Sequence, residues 1–562
     1  MRKLRWNGLV ACAVALVATA VAASAPAAQP LGALVQLSAS AGCLRAAPNR
    51  ERCGRAVAIG GRPIVASADG RNVYVAGLTS IAAFARGPRG PLRQLGGRSG
   101  CVDYHIVVPE PRAEKRCSTG KLLWPTSTAL SRDGRNLYVA SWADDPHGDR
   151  SDNYSDLAVF ARSPATGALL QLPGRLGCLG PTARGGCTTG RALSGPSSVV
   201  VTPDGRNVYL GSFGGLAVFA RNSRTGALRQ LGGAAGCLLA PARAARCSHL
   251  GTGARLWPAV VAVSADGRNV YALAGDPNGD ALLVFRRNRT TGALTRLATR
   301  DGCFAAPALR RAGCTAAPSL AGPLFCFSIA LSRDGKNLYL GSCGDLTVYS
   351  RNGATGGLSE LPSPNGCIDA NGPPGHPCAG DTGTEPQTGI VLSPDGRSLY
   401  FAFNIGRPGP GTATQPGGVT VFSRNTASGA LTRLSGASGC ITETGSHGAC
   451  TKARGLESPG GLAISPDGRN VYTSGFAGQL CCRDGVVAVF LRATSPRRAS
   501  ASAAEGGTRI ANAPLVQWGS PEDGIGPTTS RAAAPPAPTS ATRSGACACS
   551  RATGSRARAA RQ

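Results

Sequence analysis

The chain has 562 residues, with 60 Lys and Arg against 30 Asp and Glu, giving a formal charge of +30 at neutral pH. Such a charge would suit nucleic acid, but no basic segment here is interleaved with the aromatic residues that stacking on bases requires. Beyond the first 30 residues, no run reaches the ~18 apolar residues of a membrane span.

Residues 1–25 read as a secretory signal peptide. Arg2, Lys3 and Arg5 form the basic start, 9–23 the apolar core, and Ala23-Ser24-Ala25 a small-residue cleavage site. Cys12 lies in a lipoprotein-like box, but that box sits at the start of the apolar stretch instead of its end. The next element, GALVQL at 32–37, is a short strand with no partner nearby in sequence.

A repeat then begins. SADGRNVY (67–74), SRDGRNLY (131–138), TPDGRNVY (202–209), SADGRNVY (264–271), SRDGKNLY (332–339), SPDGRSLY (393–400) and SPDGRNVY (465–472) recur with 61 to 72 residues between Asp-Gly turns. Each unit predicts four strands: a β-branched run such as SSVVV (197–201), the NVYV strand beyond the turn, a LAVFAR-type strand (216–221), and a GALxQL strand. The Gly of the turn supplies the positive φ of a tight hairpin. After VVAVFLRAT (486–494) the seventh unit lacks its GALxQL strand, and GALVQL at 32–37 supplies it. The expected architecture is an all-β, seven-bladed propeller over residues 30–494, its last blade closed by the N-terminal strand. Residues 495–562, rich in Ala, Ser, Pro and Arg, are expected to be a disordered tail.

The SPDGRNVY hairpin (465–472), with third strands such as VTVFSRN (419–425) and the TGALTRL segment (291–297), resembles the YVTN-type, lactonase-like family of seven-bladed propellers. The resemblance spans about 30–494, is specific for the fold and weak for activity. For an enzyme it implies a lactone hydrolase with His, Glu and Arg converging near the channel.

Fourteen cysteines recur one pair per blade junction. The pairs are Cys43 with Cys53, Cys101 with Cys117, Cys178 with Cys187, Cys237 with Cys247, Cys303 with Cys314, Cys367 with Cys378, and Cys440 with Cys450. In-phase recurrence without CxxC or Cys/His spacing points to local disulfides in an oxidising compartment, each contributing about 2–3 kcal/mol. Cys326 and Cys343 flank a hairpin and form a further expected pair, whereas Cys481, Cys482, Cys547 and Cys549 have no assignable partner. The protein is expected to be secreted or held in the cell envelope, as a monomer. Arginines recur in DGRN and FARN in every repeat and are read as a distributed, solvated ring, with modest attraction to anionic envelope polymers or lipid head groups.

Strand alternation puts the Asp-Gly hairpins and TGAL turns on one rim, and the Cys loops and long loops on the other. Fourteen aromatics fill the second- and third-strand core slots. Trp142, Tyr154, Tyr104, Trp124 and Trp257, with Phe213, fall on the Cys-loop face and are candidate ligand contacts. Arg62, Lys121, Arg191, Arg255, Glu385 and Glu457 precede the innermost strands and should ring the channel mouth. Of these, Glu385, Glu457, Arg191 and Arg255 are the catalytic candidates. The five histidines share no motif. Asp276 and Asp280, and Asp145 and Asp149, are weak calcium candidates in acidic turns; no other cofactor is expected. The sequence favours a non-catalytic module that binds an extracellular or envelope ligand, protein or glycan, with lactone hydrolysis at the channel mouth as the alternative.

Overall fold

The computed structural model describes residues 29–495, except 47–51, 62, 105–116, 144–153, 184–185, 214, 240–246, 250–256, 277–278, 299, 308–313, 318–319, 321–327, 342–344, 370–377, 381–386, 405–416 and 477–484. The signal-peptide and tail readings therefore lie outside the described residues. So do the Cys326–Cys343 pair and the four cysteines without an assigned partner, Cys481, Cys482, Cys547 and Cys549.

Seven sheets form seven blades. In the third, the innermost strand Pro196–Val201 pairs antiparallel with Asn207–Ser212, which pairs with Gly215–Arg221. The expected fourth strand is split in two. Leu228–Gln230 pairs with one end of Gly215–Arg221, a 3-10 turn at Gly233–Gly236 breaks the run, and Cys237–Leu239 pairs with the other end. A parallel two-residue strand, Ser248–His249, edges the blade.

All seven expected junction disulfides form, each tying such an edge strand to its blade. In chain order they are Cys43–Cys53, Cys101–Cys117, Cys178–Cys187 and Cys237–Cys247, then Cys303–Cys314, Cys367–Cys378 and Cys440–Cys450. Their Cα atoms lie 4.6–4.9 Å apart. The first member of each pair opens the second half of the split strand, as Cys101, Cys178, Cys303, Cys367 and Cys440 do in Cys101–Asp103, Cys178–Gly180, Cys303–Ala305, Cys367–Asp369 and Cys440–Thr442. The second member stands immediately before the parallel edge strand, as Cys117, Cys187, Cys314, Cys378 and Cys450 do before Ser118–Thr119, Thr188–Thr189, Thr315–Ala316, Ala379–Gly380 and Thr451–Lys452.

The seventh blade closes as its missing strand required. Leu34–Gln36 and Cys43–Arg45 both pair antiparallel with Gly485–Arg492. The strand-two tyrosines and the strand-three aromatics are all buried, as their slots predict.

The arginines divide into two sets, which corrects the reading of one solvated ring. The Arg ending each third strand is buried, or in Arg86 nearly so, and joins its blade to the preceding one. Arg162 Nε donates to Tyr74 Oη (2.7 Å), Nη1 to the Gly134 carbonyl (2.7 Å), and Nη2 to Asp69 (2.8 Å) and Asn72 Oδ1 (2.6 Å). Tyr74 in turn donates to the Gly167 carbonyl at 2.7 Å. Gly167 sits at φ +81°, and a Cβ there would collide with the Asn72 side chain, so the TGAL glycine is required by close approach. The set recurs around the ring with Arg86, Arg221, Arg287, Arg351, Arg424 and Arg492. In the last copy Ser398 replaces the asparagine, and Gly32 of the N-terminal segment receives Tyr400 Oη at 2.8 Å.

The electrostatics follow from the geometry. Burial alone would raise each hairpin aspartate, but hydrogen bonds from its Ser or Thr neighbour and the clamp arginine outweigh it and hold the carboxyl below its ordinary value. Burial pushes Tyr74, Tyr138, Tyr271, Tyr339, Tyr400 and Tyr472 up to about 12, only partly offset by the arginines.

Candidate functional site

The hairpin rim spends its aspartates, asparagines and tyrosines on holding the ring. The opposite, Cys-loop rim is where side-chain variety is free to act. There the second strand of blade two, Asn136–Ala143, brings Trp142 beside Phe213, from the end of Asn207–Ser212 in blade three. The rings meet edge to face, centroids 4.8 Å apart at 81°. Phe213 remains 40% exposed and packs over Gly195, where its ring leaves no room for a Cβ and the backbone is left-handed at φ +61°. Trp124 adjoins them: its carbonyl accepts from the Trp142 amide at 3.2 Å, and its own backbone is left-handed at φ 51°. Trp124 and Trp142 are both partly exposed. Tyr104, by contrast, packs against the core between blades one and two. Tyr154 and Trp257 occupy strand positions at the same rim, but their side chains lie outside the described residues.

Behind this aromatic cluster lies a carboxyl outside the candidates read from the sequence. Asp156 faces Ser141 across the strand pair Asn136–Ala143 and Tyr154–Arg162. Its Oδ1 is sealed from solvent without a hydrogen bond. Burial raises the carboxyl to about 7, with Ser141 and the Lys121 cation only partly offsetting it. A carboxyl raised in the fold stabilises the protein fully below its unfolded value near 4, and that contribution fades as pH rises towards 7. Asp156→Asn should therefore flatten the stability slope between pH 4 and 7 and gain roughly 1–3 kcal/mol at pH 8, read by thermal melts across that range.

The proposed channel-mouth groups are placed elsewhere. The connections that carry Lys121 and Arg191 run past the outer strands, where glutamines pin them: Gln171 Oε1 accepts from the Lys121 amide at 2.8 Å, and Gln230 Oε1 from the Arg191 amide at 2.9 Å. The Arg191 guanidinium turns outward to the Leu231 and Gly233 carbonyls (3.1 and 3.0 Å). Glu457 is ion-paired with Arg45 of the closing strand. Arg191, Lys121 and Glu457 thus bind the blade periphery instead of ringing the channel, because the connections run over the blade before turning in. Arg62, Arg255 and Glu385 lie outside the described residues.

The calcium candidates divide similarly. Asp276 pairs in register with Gly279 and Asp280 is fully buried on the returning strand, while the Asp276 side chain and residues 277–278 lie outside the described residues. Asp145 and Asp149 lie outside the described residues, and among the described ones no three His, Cys, Asp or Glu side chains converge on a metal position.

No protein-family model matches the chain, and no characterised protein matches it in sequence. Among solved structures it is similar to the periplasmic gluconolactonase of Pseudomonas aeruginosa, at 17% identity over 73% of this chain and 87% of that one, TM-score 0.42. It is also similar to Kuenenia stuttgartiensis hydrazine synthase (12% identity, 78% and 98% of the chains, TM-score 0.38). The Swd1 β-propeller domain of Myceliophteria thermophila matches too (9%, 76% and 95%, 0.41). The propeller fold rests on the seven sheets themselves, and these likenesses add nothing about activity.

Proposed function

We propose that the protein is an exported, non-catalytic recognition scaffold of the YVTN-type, lactonase-like lineage, binding an envelope or extracellular protein or glycan through its Cys-loop face. The carrying observation is the Trp142–Phe213 pair, an exposed aromatic platform held by rigid strands of two blades. Such platforms supply apolar area at low entropic cost for stacking on sugars or anchoring a partner. The junction disulfides support export, since they persist in oxidising compartments.

The purified protein should be retained on the producer's cell-envelope fraction through about 0.5 M salt, where surface attraction is screened. The double variant W142A/F213A should lose that retention while melting normally. Equal retention of variant and parent would sink the aromatic platform as the binding site. A second reading is lactone hydrolysis on the same face by Asp156, a partly exposed residue beside Trp142 whose carboxyl near neutrality is suited to general-base work. Lactone turnover that Asp156→Asn abolishes, with the fold intact, would put that reading first.

A further inference from the structure

The hairpin rim carries a feature that holding the ring does not require. In each hairpin the aspartate is committed to the clamp arginine of the next blade. The residue two positions on is a second cation, exposed in every blade: Arg71, Arg135, Arg206, Arg268, Arg397 and Arg469, with Lys336 in the fifth. Its usual neighbouring counter-ion is therefore already spent. Arg132 and Arg333 add exposed charges in the same hairpins, and Arg89, Arg224 and Arg289 in the adjoining turns. Neither the hairpins nor these turns contain any carboxylate besides the clamped aspartates.

Equivalent positions in blades related by rotation about one axis share a plane perpendicular to it. The seven hairpin cations therefore form a flat ring that can meet a flat anionic surface all at once. None of the exposed large hydrophobics (Val35, Leu170, Leu176, Phe213, Leu491) belongs to these hairpins or turns, so the contact would be electrostatic and not inserted. Beside the hairpins of blades five to seven is a recess of about 240 Å³, lined by the ends of their innermost strands (Leu331, Leu392 and Ile464), by serines and prolines of the hairpins and by Arg333.

We infer that the hairpin rim is a docking face for an anionic lipid bilayer. The propeller lies flat on the head groups and turns its Cys-loop face outward, independently of what that face binds. Cations near an anionic bilayer are attracted additively and within a Debye length, so a coplanar set is favoured over the same charges scattered around a sphere.

Sedimentation of the full chain with vesicles tests this, comparing phosphatidylcholine alone with phosphatidylcholine containing about 30% phosphatidylglycerol at low salt. Binding should require the anionic lipid and disappear near 0.5 M salt. The variant R135Q/R206Q/R268Q should partition at least about tenfold more weakly, whereas R93Q/R98Q/R229Q, with equal charge loss on the outer strand and its following turn, should change it less than about threefold. All six side chains are exposed, and unchanged melting would separate lost docking from lost folding. Equal losses for the two variants would overturn the inference in favour of net charge. Binding to neutral vesicles would overturn it as well. So would ring-dependent retention on a soluble polyphosphate column without vesicle binding, which would make the partner a free polyanion.

Discussion

Replacing Arg221 with methionine is expected to destabilise the propeller by about 2–4 kcal/mol, mostly from the buried neutral acceptors it leaves unpaired, since Asp133 is partly solvated. The guanidinium donates to Tyr138 Oη at 2.8 Å, to the Gly205 carbonyl at 3.0 Å, to Asp133 at 2.8 Å and to Asn136 Oδ1 at 2.6 Å, with only 1% of its side chain exposed. Methionine fills part of the volume but leaves buried acceptors without donors, each costing about 1–3 kcal/mol. The melting temperature should fall by several degrees in calorimetry. Arg135→Met, two residues beyond the same Asp133, should stay within about 0.5 kcal/mol because its side chain is exposed. A loss for Arg221→Met no larger than for Arg135→Met would remove the clamp from the account of stability. The seven copies also set the pH window. Stability from the lowered aspartates is present above their unfolded value near 4 and is lost as pH falls through the folded values. Stability from the raised tyrosines runs the other way: it is present below 10 and is lost as pH climbs from 10 towards 12.

Arg221 and Arg135 also mark where the sequence is legible and where it stops. Both recur in phase, so the repeat count, the blade number, the junction disulfides and the closing strand could all be read from spacing. Their fates differ because one ends a third strand pointing into the blade interface and the other tips a hairpin, a distinction set by the neighbouring blade and not by local pattern. The same limit applies at the Cys-loop rim. Trp142 and Phe213 were visible as aromatics outside the core slots, but their contact depends on two blades meeting. Asp156 follows an acidic stretch with no motif to single it out, and only its cross-strand place opposite Ser141 seals its Oδ1. Glu457 and Arg191 look poised at the channel because chain position suggests it; the connection's path over the blade, pinned by Gln36 and Gln230, puts them at the periphery.

Deleting residues 29–45 should abolish cooperative folding, whereas moving residues 29–57 to follow Thr494 should restore it. The segment contributes several contacts that fail together. Leu34 and Leu44 are 4% and 7% exposed, each worth about 1.5–3 kcal/mol buried. Gln36 holds both backbone groups of Arg454 at 2.7 and 3.0 Å, Gly32 receives the Tyr400 hydroxyl, and Cys43 bridges to Cys53. Losses on this scale rival the roughly 5–15 kcal/mol that holds a domain together. The strand Gly485–Arg492 would also be left as a bare edge, a template for aggregation. The permuted chain keeps every one of these contacts and changes only where the backbone is covalently continuous. Calorimetry and size exclusion should therefore find it folded and monodisperse beside an aggregated deletion variant. A deletion variant that melts near the parent would mean that six complete blades close without the seventh's outer strand, and that the clamp ring, not the N-terminal strand, joins the ends.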